Sequence, residues 1–183
     1  QMCWIGRIDS FKTTILIYLI KKLEQQSSIS KKKINFSIIG YGNDLEKLKK
    51  IKRYNKHLNI SFLGAMEPKF MHDYLIKNID CAFAMGASAL ESGGLGIPTI
   101  LLDFSFKGIP LNYNFKWLFE SDGNNLGHLI DYSNDFNKHS IRDIISTLEN
   151  DNSIGLKCME YVKKHHSAQI IAEKLIKAAK SSN

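Results

Sequence analysis

The stretch Ala84-Met85-Gly86-Ala87-Ser88-Ala89-Leu90-Glu91 holds the residues whose types and spacing are best suited to chemistry. It follows the apolar run Ile79-Asp80-Cys81-Ala82-Phe83 and precedes Ser92-Gly93-Gly94-Leu95-Gly96-Ile97-Pro98. An apolar run, a small-residue turn and a helical start read as strand, tight loop and helix N-terminus. Gly86, Ala87 and Ser88 carry no bulk, so backbone N–H groups there can approach a phosphate at the positive end of the helix dipole. The same residues admit a purely architectural reading. Ser88 with Glu91 three residues on is a capping box, in which Glu91 bonds back to the Ser88 backbone. The stretch alone leaves anion site and plain cap evenly balanced.

The elements that must position this loop follow from hydrophobic periodicity. Residues 2–6 form a strand and residues 7–10 its exit loop. Asp9 or Ser10 caps a helix over 11–25, where Ile15, Leu16, Leu19, Ile20 and Leu23 recur at helical spacing. A second strand spans 34–40, Gly40-Tyr41-Gly42 turns the chain, and Asn43 or Asp44 caps a helix over 45–54. A third strand covers 60–64, and Pro68 opens a helix through residue 75. The fourth strand leads into the Gly86 loop and a short helix ending around 93–96. Residues 98–103 form a fifth strand and 117–119 a sixth. Helices are expected over 126–132, 140–148, 154–165 and 168–179.

Strands alternating with helices imply an α/β fold, a doubly wound, mainly parallel six-stranded Rossmann-like sheet with helices on both faces. The order 3-2-1-4-5-6 puts the topological switch point between strands one and four, where open α/β sheets bind ligands. The loops bordering that gap are Gly6-Arg7 and Gly86-Ala87-Ser88. One brings a fixed cation and the other small residues at a helix start, which tips the balance toward a binding site.

A chain of 183 residues with 44% hydrophobic and 23% charged residues suits one globular domain spanning 1–183. The net charge of +7 comes largely from lysine runs such as Lys31-Lys32-Lys33 and Lys49-Lys50 with Lys52-Arg53. Such runs favour anionic partners or simply solvate a face. They are not interleaved with exposed aromatics in a stripe, so nucleic acid is not an expected partner. Cys3, Cys81 and Cys158 are far apart and lack C-x-x-C or zinc-ligand spacing, which fits a reduced, cytoplasmic setting and no metal site. The longest apolar runs fall short of a membrane span. A strand at the very start suggests a domain excised from a longer protein.

The ordered set of motifs resembles the C-terminal, donor-binding half of GT-B glycosyltransferases, nearest to family 4. It consists of Trp4-Ile5-Gly6-Arg7-Ile8-Asp9-Ser10-Phe11-Lys12, Ile38-Ile39-Gly40-Tyr41-Gly42, Ile60-Ser61-Phe62-Leu63-Gly64, and Gly86-Ala87-Ser88-Ala89-Leu90-Glu91 with Gly96-Ile97-Pro98. The resemblance implies that Arg7 and Lys12 hold a donor diphosphate together with the Gly86-Ala87-Ser88 loop. It further implies that Glu91 accepts hydrogen bonds from ribose hydroxyls, and that Gly6, Gly40, Tyr41 and Gly42 touch donor or cleft. Without the family, Lys12 reads as a solvent-facing lysine and Gly40-Tyr41-Gly42 as a strand-to-helix turn. The chain departs from family 4 in two respects: the glutamate usual eight residues before Glu91 is replaced by Phe83, and the strand-to-helix connection is shorter than usual. The turn is instead similar to the Gly-Ala-Ser turn of bacterial N-acetylglucosaminyl transferases and to the corresponding turn of nucleotide-sugar 2-epimerases.

The implied activity is sugar transfer from a nucleoside-diphosphate sugar to a saccharide or lipid-linked acceptor in bacterial polysaccharide or lipopolysaccharide biosynthesis. The nucleotide sugar is the substrate, no cofactor or metal is implied, and no catalytic residue is singled out. An N-terminal acceptor domain would lie outside this chain, so the chain alone is expected to bind but not turn over. The expected location is the cytoplasm, at the inner face of the membrane, with peripheral membrane contact. Two other functions remain open: half of a nucleotide-sugar 2-epimerase, and a non-catalytic α/β anion-binding module.

Overall fold

The computed structural model describes residues 1–51, 56–123, 125–132 and 137–181. Six strands form one sheet in the order β3-β2-β1-β4-β5-β6. They are β1 Met2–Ile5, β2 Ile34–Ile39, β3 Leu58–Gly64, β4 Cys81–Ala84, β5 Thr99–Leu101 and β6 Lys116–Trp117. The first five run parallel, with Trp4 level with Ile38 on one side and with Phe83 on the other. β6 is antiparallel to β5 and passes directly into a 3-10 turn at Leu118–Glu120, so of the expected 117–119 strand only Trp117 lies in β6. The doubly wound sheet and its switch point between β1 and β4 are therefore those read from the sequence.

Alternation along β1 sorts its side chains between two apolar layers, because successive strand residues face opposite ways. Met2 and Trp4 join the layer covered by α1 (Ser10–Ser30), α2 (Leu45–Lys49) and α5 (Ile141–Asn150). Cys3 and Ile5 join the layer under α3 (Pro68–Asn78), α4 (Ala87–Gly94) and α6 (Ile154–His166). Phe83 at the sheet centre is fully buried and packs edge-on against Phe36 and Phe115. Burying one such ring contributes about 1.5–3 kcal/mol. A last helix, α7 (Ala168–Ser181), follows α6. Among the described residues, no helix is long and apolar enough to cross a membrane.

Several expectations are corrected. α1 runs on to Ser30, stopped where Lys31 adopts a left-handed conformation (φ 55°). α2 ends at Lys49, and the remainder of the helix expected over 45–54, with Lys52 and Arg53, lies outside the described residues. No helix forms over 126–132. That segment is held extended by Phe104 N–H to His128 O (2.9 Å) and Ile130 N–H to Phe104 O (2.9 Å). Gly127 (φ 108°) allows it to pass so close to the chain after β5 that a Cβ there would lie 2.6 Å from Leu102 O. The backbone partners that Phe104 offers override the local helical pattern.

Candidate functional site

Beyond the carboxyl ends of β1 and β2 the chain does not separate. Gly6 N–H donates to Ile39 O (3.1 Å), Ile8 N–H to Tyr41 O (2.8 Å) and Asp44 N–H to Ile8 O (3.1 Å). The two exit loops are thus laced together, and Gly40 is what permits it. A Cβ on Gly40 would sit 1.9 Å from Gly6 O. The structural reading of the Gly40-Tyr41-Gly42 turn therefore has a definite basis in close backbone approach. Tyr41, 62% exposed, leaves its ring free at the rim.

On the other side of the switch point, β4 passes through Gly86 (φ 62°) into α4. Gly86, expected to offer its N–H to a phosphate, donates it instead to Leu126 O at 2.7 Å. What Gly86 supplies is a positive-φ turn that starts the helix. The Ala87 and Ser88 N–H groups then occupy the first turn, where no intrahelical carbonyl can reach them. The capping-box alternative does not hold. Gly86 is the N-cap, no side chain caps the helix, and Ser88 lies inside it.

Glu91 is bonded to a different helix. Its Oε1 lies 2.7 Å from Nε2 of His72 on α3. Nothing in the sequence singled out His72, because the pairing spans two helices 19 positions apart and carries no local pattern.

These turns face one another. A crevice of about 220 Å³ is walled by Gly6, Arg7, Gly40 and Tyr41 on one side and by Ser88 and Glu91 on the other, with Ala65 and Met66 beyond β3 closing one end. Gly42, Lys12, Gly86 and Ala87 are not part of that wall. Gly42 packs on Ile8, where a Cβ would meet the Ile8 carbonyl oxygen at 2.3 Å. Lys12 stands on the first turn of α1, its Nζ 5.7 Å from the Phe11 ring centre.

The electrostatics of the rim favour an anion. Arg7 is two-thirds exposed and its Nε lies 3.4 Å from Asp9 Oδ2. Burial, and then the neighbouring Arg7 guanidinium, push the Lys12 ammonium below its ordinary range, with Asp9 opposing them. Arg7, paired with Asp9, and Lys12 thus repel each other, and a bound polyanion would relieve that repulsion.

A second cavity, of about 650 Å³, opens beside β5 and β6 around Asp103. Asp103 is buried and accepts from Tyr113 Oη (3.2 Å), Lys116 Nζ (3.3 Å) and His128 N (3.2 Å). His128 Nδ1 lies 2.9 Å from it. Asn137 Nδ2 also donates to it (3.2 Å), so its lone pairs tie β6 to the loops at Tyr113, His128 and Asn137. Among the described residues, no three His, Cys, Asp or Glu side chains gather as a metal site.

No protein family's sequence pattern matches this chain, and no curated protein sequence does. Solved structures do. A point mutant of S. aureus TarM in complex with fondaparinux, α-GlcNAc-glycerol and UDP is similar over 96% of this chain and 34% of its own, with a TM-score of 0.58 and 18% identity. WaaB, a lipopolysaccharide outer core galactosyltransferase in apo form, is similar over 100% of this chain and 49% of its own, with a TM-score of 0.54 and 15% identity. A further TarM structure covers 95% of this chain at a TM-score of 0.50 and 16% identity.

The fold is that of a GT-B half. The likeness is one of fold, and membership of family 4 in particular is not established by it. The chain spans between about a third and a half of the length of the structures it matches.

Proposed function

We propose that this chain is the nucleotide-sugar-binding half of a glycosyltransferase. The observation that carries the reading is the crevice at the β1/β4 switch point, which brings Arg7, Ser88 and Glu91 to one cavity. In this reading the diphosphate of a nucleoside-diphosphate sugar lies between Arg7 and Ser88 in the crevice, with the Ala87 N–H and the Lys12 cation reaching it from beside the wall. The ribose diol donates to Glu91, whose carboxylate oxygens act only as acceptors.

The chemistry follows from that placement. An acceptor hydroxyl oxygen forms a bond to the anomeric carbon while the bond from that carbon to the diphosphate oxygen breaks. The hydroxyl proton passes to a general base as the new bond forms. Negative charge grows on the departing diphosphate, and fixed cations with N–H donors stabilise that charge more than they stabilise the bound substrate. The acceptor, a saccharide or a lipid-linked one, is held by a domain outside this chain, so the chain binds donor without turnover. The lipopolysaccharide galactosyltransferase among its structural neighbours supports a place in bacterial surface polysaccharide or lipopolysaccharide synthesis.

Titration of the chain with UDP and with GDP by calorimetry tests the reading. Saturable binding of at least one, weakened by Arg7→Ala, is expected. Absence of binding by every nucleoside diphosphate would overturn it.

A further inference from the structure

Glu91 walls the crevice, and so does Met71, the neighbour of His72 on α3, whereas His72 itself is not part of the wall. His72 stands behind the carboxylate, with both side chains about one-third exposed. α3 and α4 pack on the same face of the sheet through Met71, Leu75 and Ala89, so the hydrogen bond joins two helices that the core already fixes. A glutamate on a helix surface has several accessible rotamers, and holding it in one for a ligand costs conformational entropy at binding. A donor on a neighbouring rigid helix removes that freedom beforehand.

We infer that His72 is a positioning residue for Glu91 and thereby sets the selectivity of the crevice for ribonucleotides. The inference rests on the reading of Glu91 as the ribose contact. With a proton on Nε2, His72 donates to Oε1. The remaining lone pair of Oε1 and both of those on Oε2 stay available to the two ribose hydroxyls. A nucleotide without those hydroxyls leaves the remaining acceptor sites of the held carboxylate without donors from the ligand, which disfavours it. Free to swing away, the carboxylate would find water instead, and the discrimination would collapse.

The test is calorimetric titration of the wild-type chain, His72→Ala, His72→Gln, Glu91→Ala and the double variant with UDP and with 2′,3′-dideoxy-UDP. Wild type is expected to prefer UDP about tenfold, the order expected of hydrogen bonds to a charged group. His72→Ala should weaken UDP by roughly fivefold and leave the dideoxy nucleotide unchanged, and His72→Gln, which retains an N–H donor, should recover part of the loss. In the Glu91→Ala background the histidine substitution should have no further effect. Equal UDP affinity in wild type and His72→Ala, while Glu91→Ala loses the ribose preference, would overturn this inference alone. So would equal weakening of both nucleotides by His72→Ala, the mark of a general disturbance. Ribose preference unaltered in Glu91→Ala would instead overturn the reading of Glu91 and this inference with it.

Discussion

Replacing Gly40 by Ala tests whether the crevice depends on the laced loops after β1 and β2. The added Cβ would lie 1.9 Å from Gly6 O and 2.9 Å from Gly6 C, with φ at +142°. A carbon-to-oxygen contact normally needs roughly 3.3 Å, so the loops must part by about 1.4 Å at this point. Overpacking costs about 1–3 kcal/mol and the backbone strain about another 1–3, giving roughly 4 kcal/mol. At about 2–4 °C per kcal/mol for a chain of this length, the melting temperature should fall by roughly 8–16 °C. Two glycines calibrate the result. Gly64 is at φ +71° with nothing within 4 Å, so Gly64→Ala should cost only the left-handed strain of about 1–2 kcal/mol. Gly108 has open space and no positive φ, so Gly108→Ala should stay within about 0.5 kcal/mol of wild type. Thermal melts of the three variants decide the matter. If Gly40→Ala melts within about 2 °C of Gly108→Ala, the close-approach argument is wrong.

Arg7→Ala should weaken UDP on the order of tenfold or more, the scale of a charge-assisted contact, while leaving the melting temperature nearly unchanged because Arg7 is two-thirds exposed. Asp9→Asn should tighten UDP by roughly threefold at low salt, since Asp9 competes with the ligand for Arg7 and makes no capping bond to α1; the gain should shrink as salt rises. Thiol labelling at pH 8 should leave all three cysteines untouched until denaturant is added. All three are buried, and burial raises the Cys3 and Cys81 thiols far above their ordinary range and Cys158 to about 11.

The sheet was legible because its strands alternate between two buried layers and its parallel connections have few alternatives. Runs such as Ile34–Ile39 and Cys81–Ala84 could only be central strands, and that was enough to place the switch point. What escaped the sequence were the features created by tertiary contact. Residues 126–132 have a helical apolar pattern, yet the exposed backbone of Phe104 captures them as an extended segment. The Ser88 and Glu91 spacing matches a capping box, yet the N-cap lies two residues earlier, at Gly86, and the glutamate turns to His72. Arg7 was legible as a cation beside the switch point, whereas Lys12 was singled out only by the family resemblance. Their mutual repulsion, and the use of the Gly86 N–H by Leu126, required coordinates.

The most direct measurement of the central claim is amide chemical-shift mapping of the isotopically labelled chain during titration with UDP. Saturable shifts are expected, concentrated at Arg7, Tyr41, Ala87, Ser88 and Glu91, around the β1/β4 crevice. Shifts confined to the cavity around Asp103, or to the far end of the sheet, with none at Arg7 or Ser88, would contradict it.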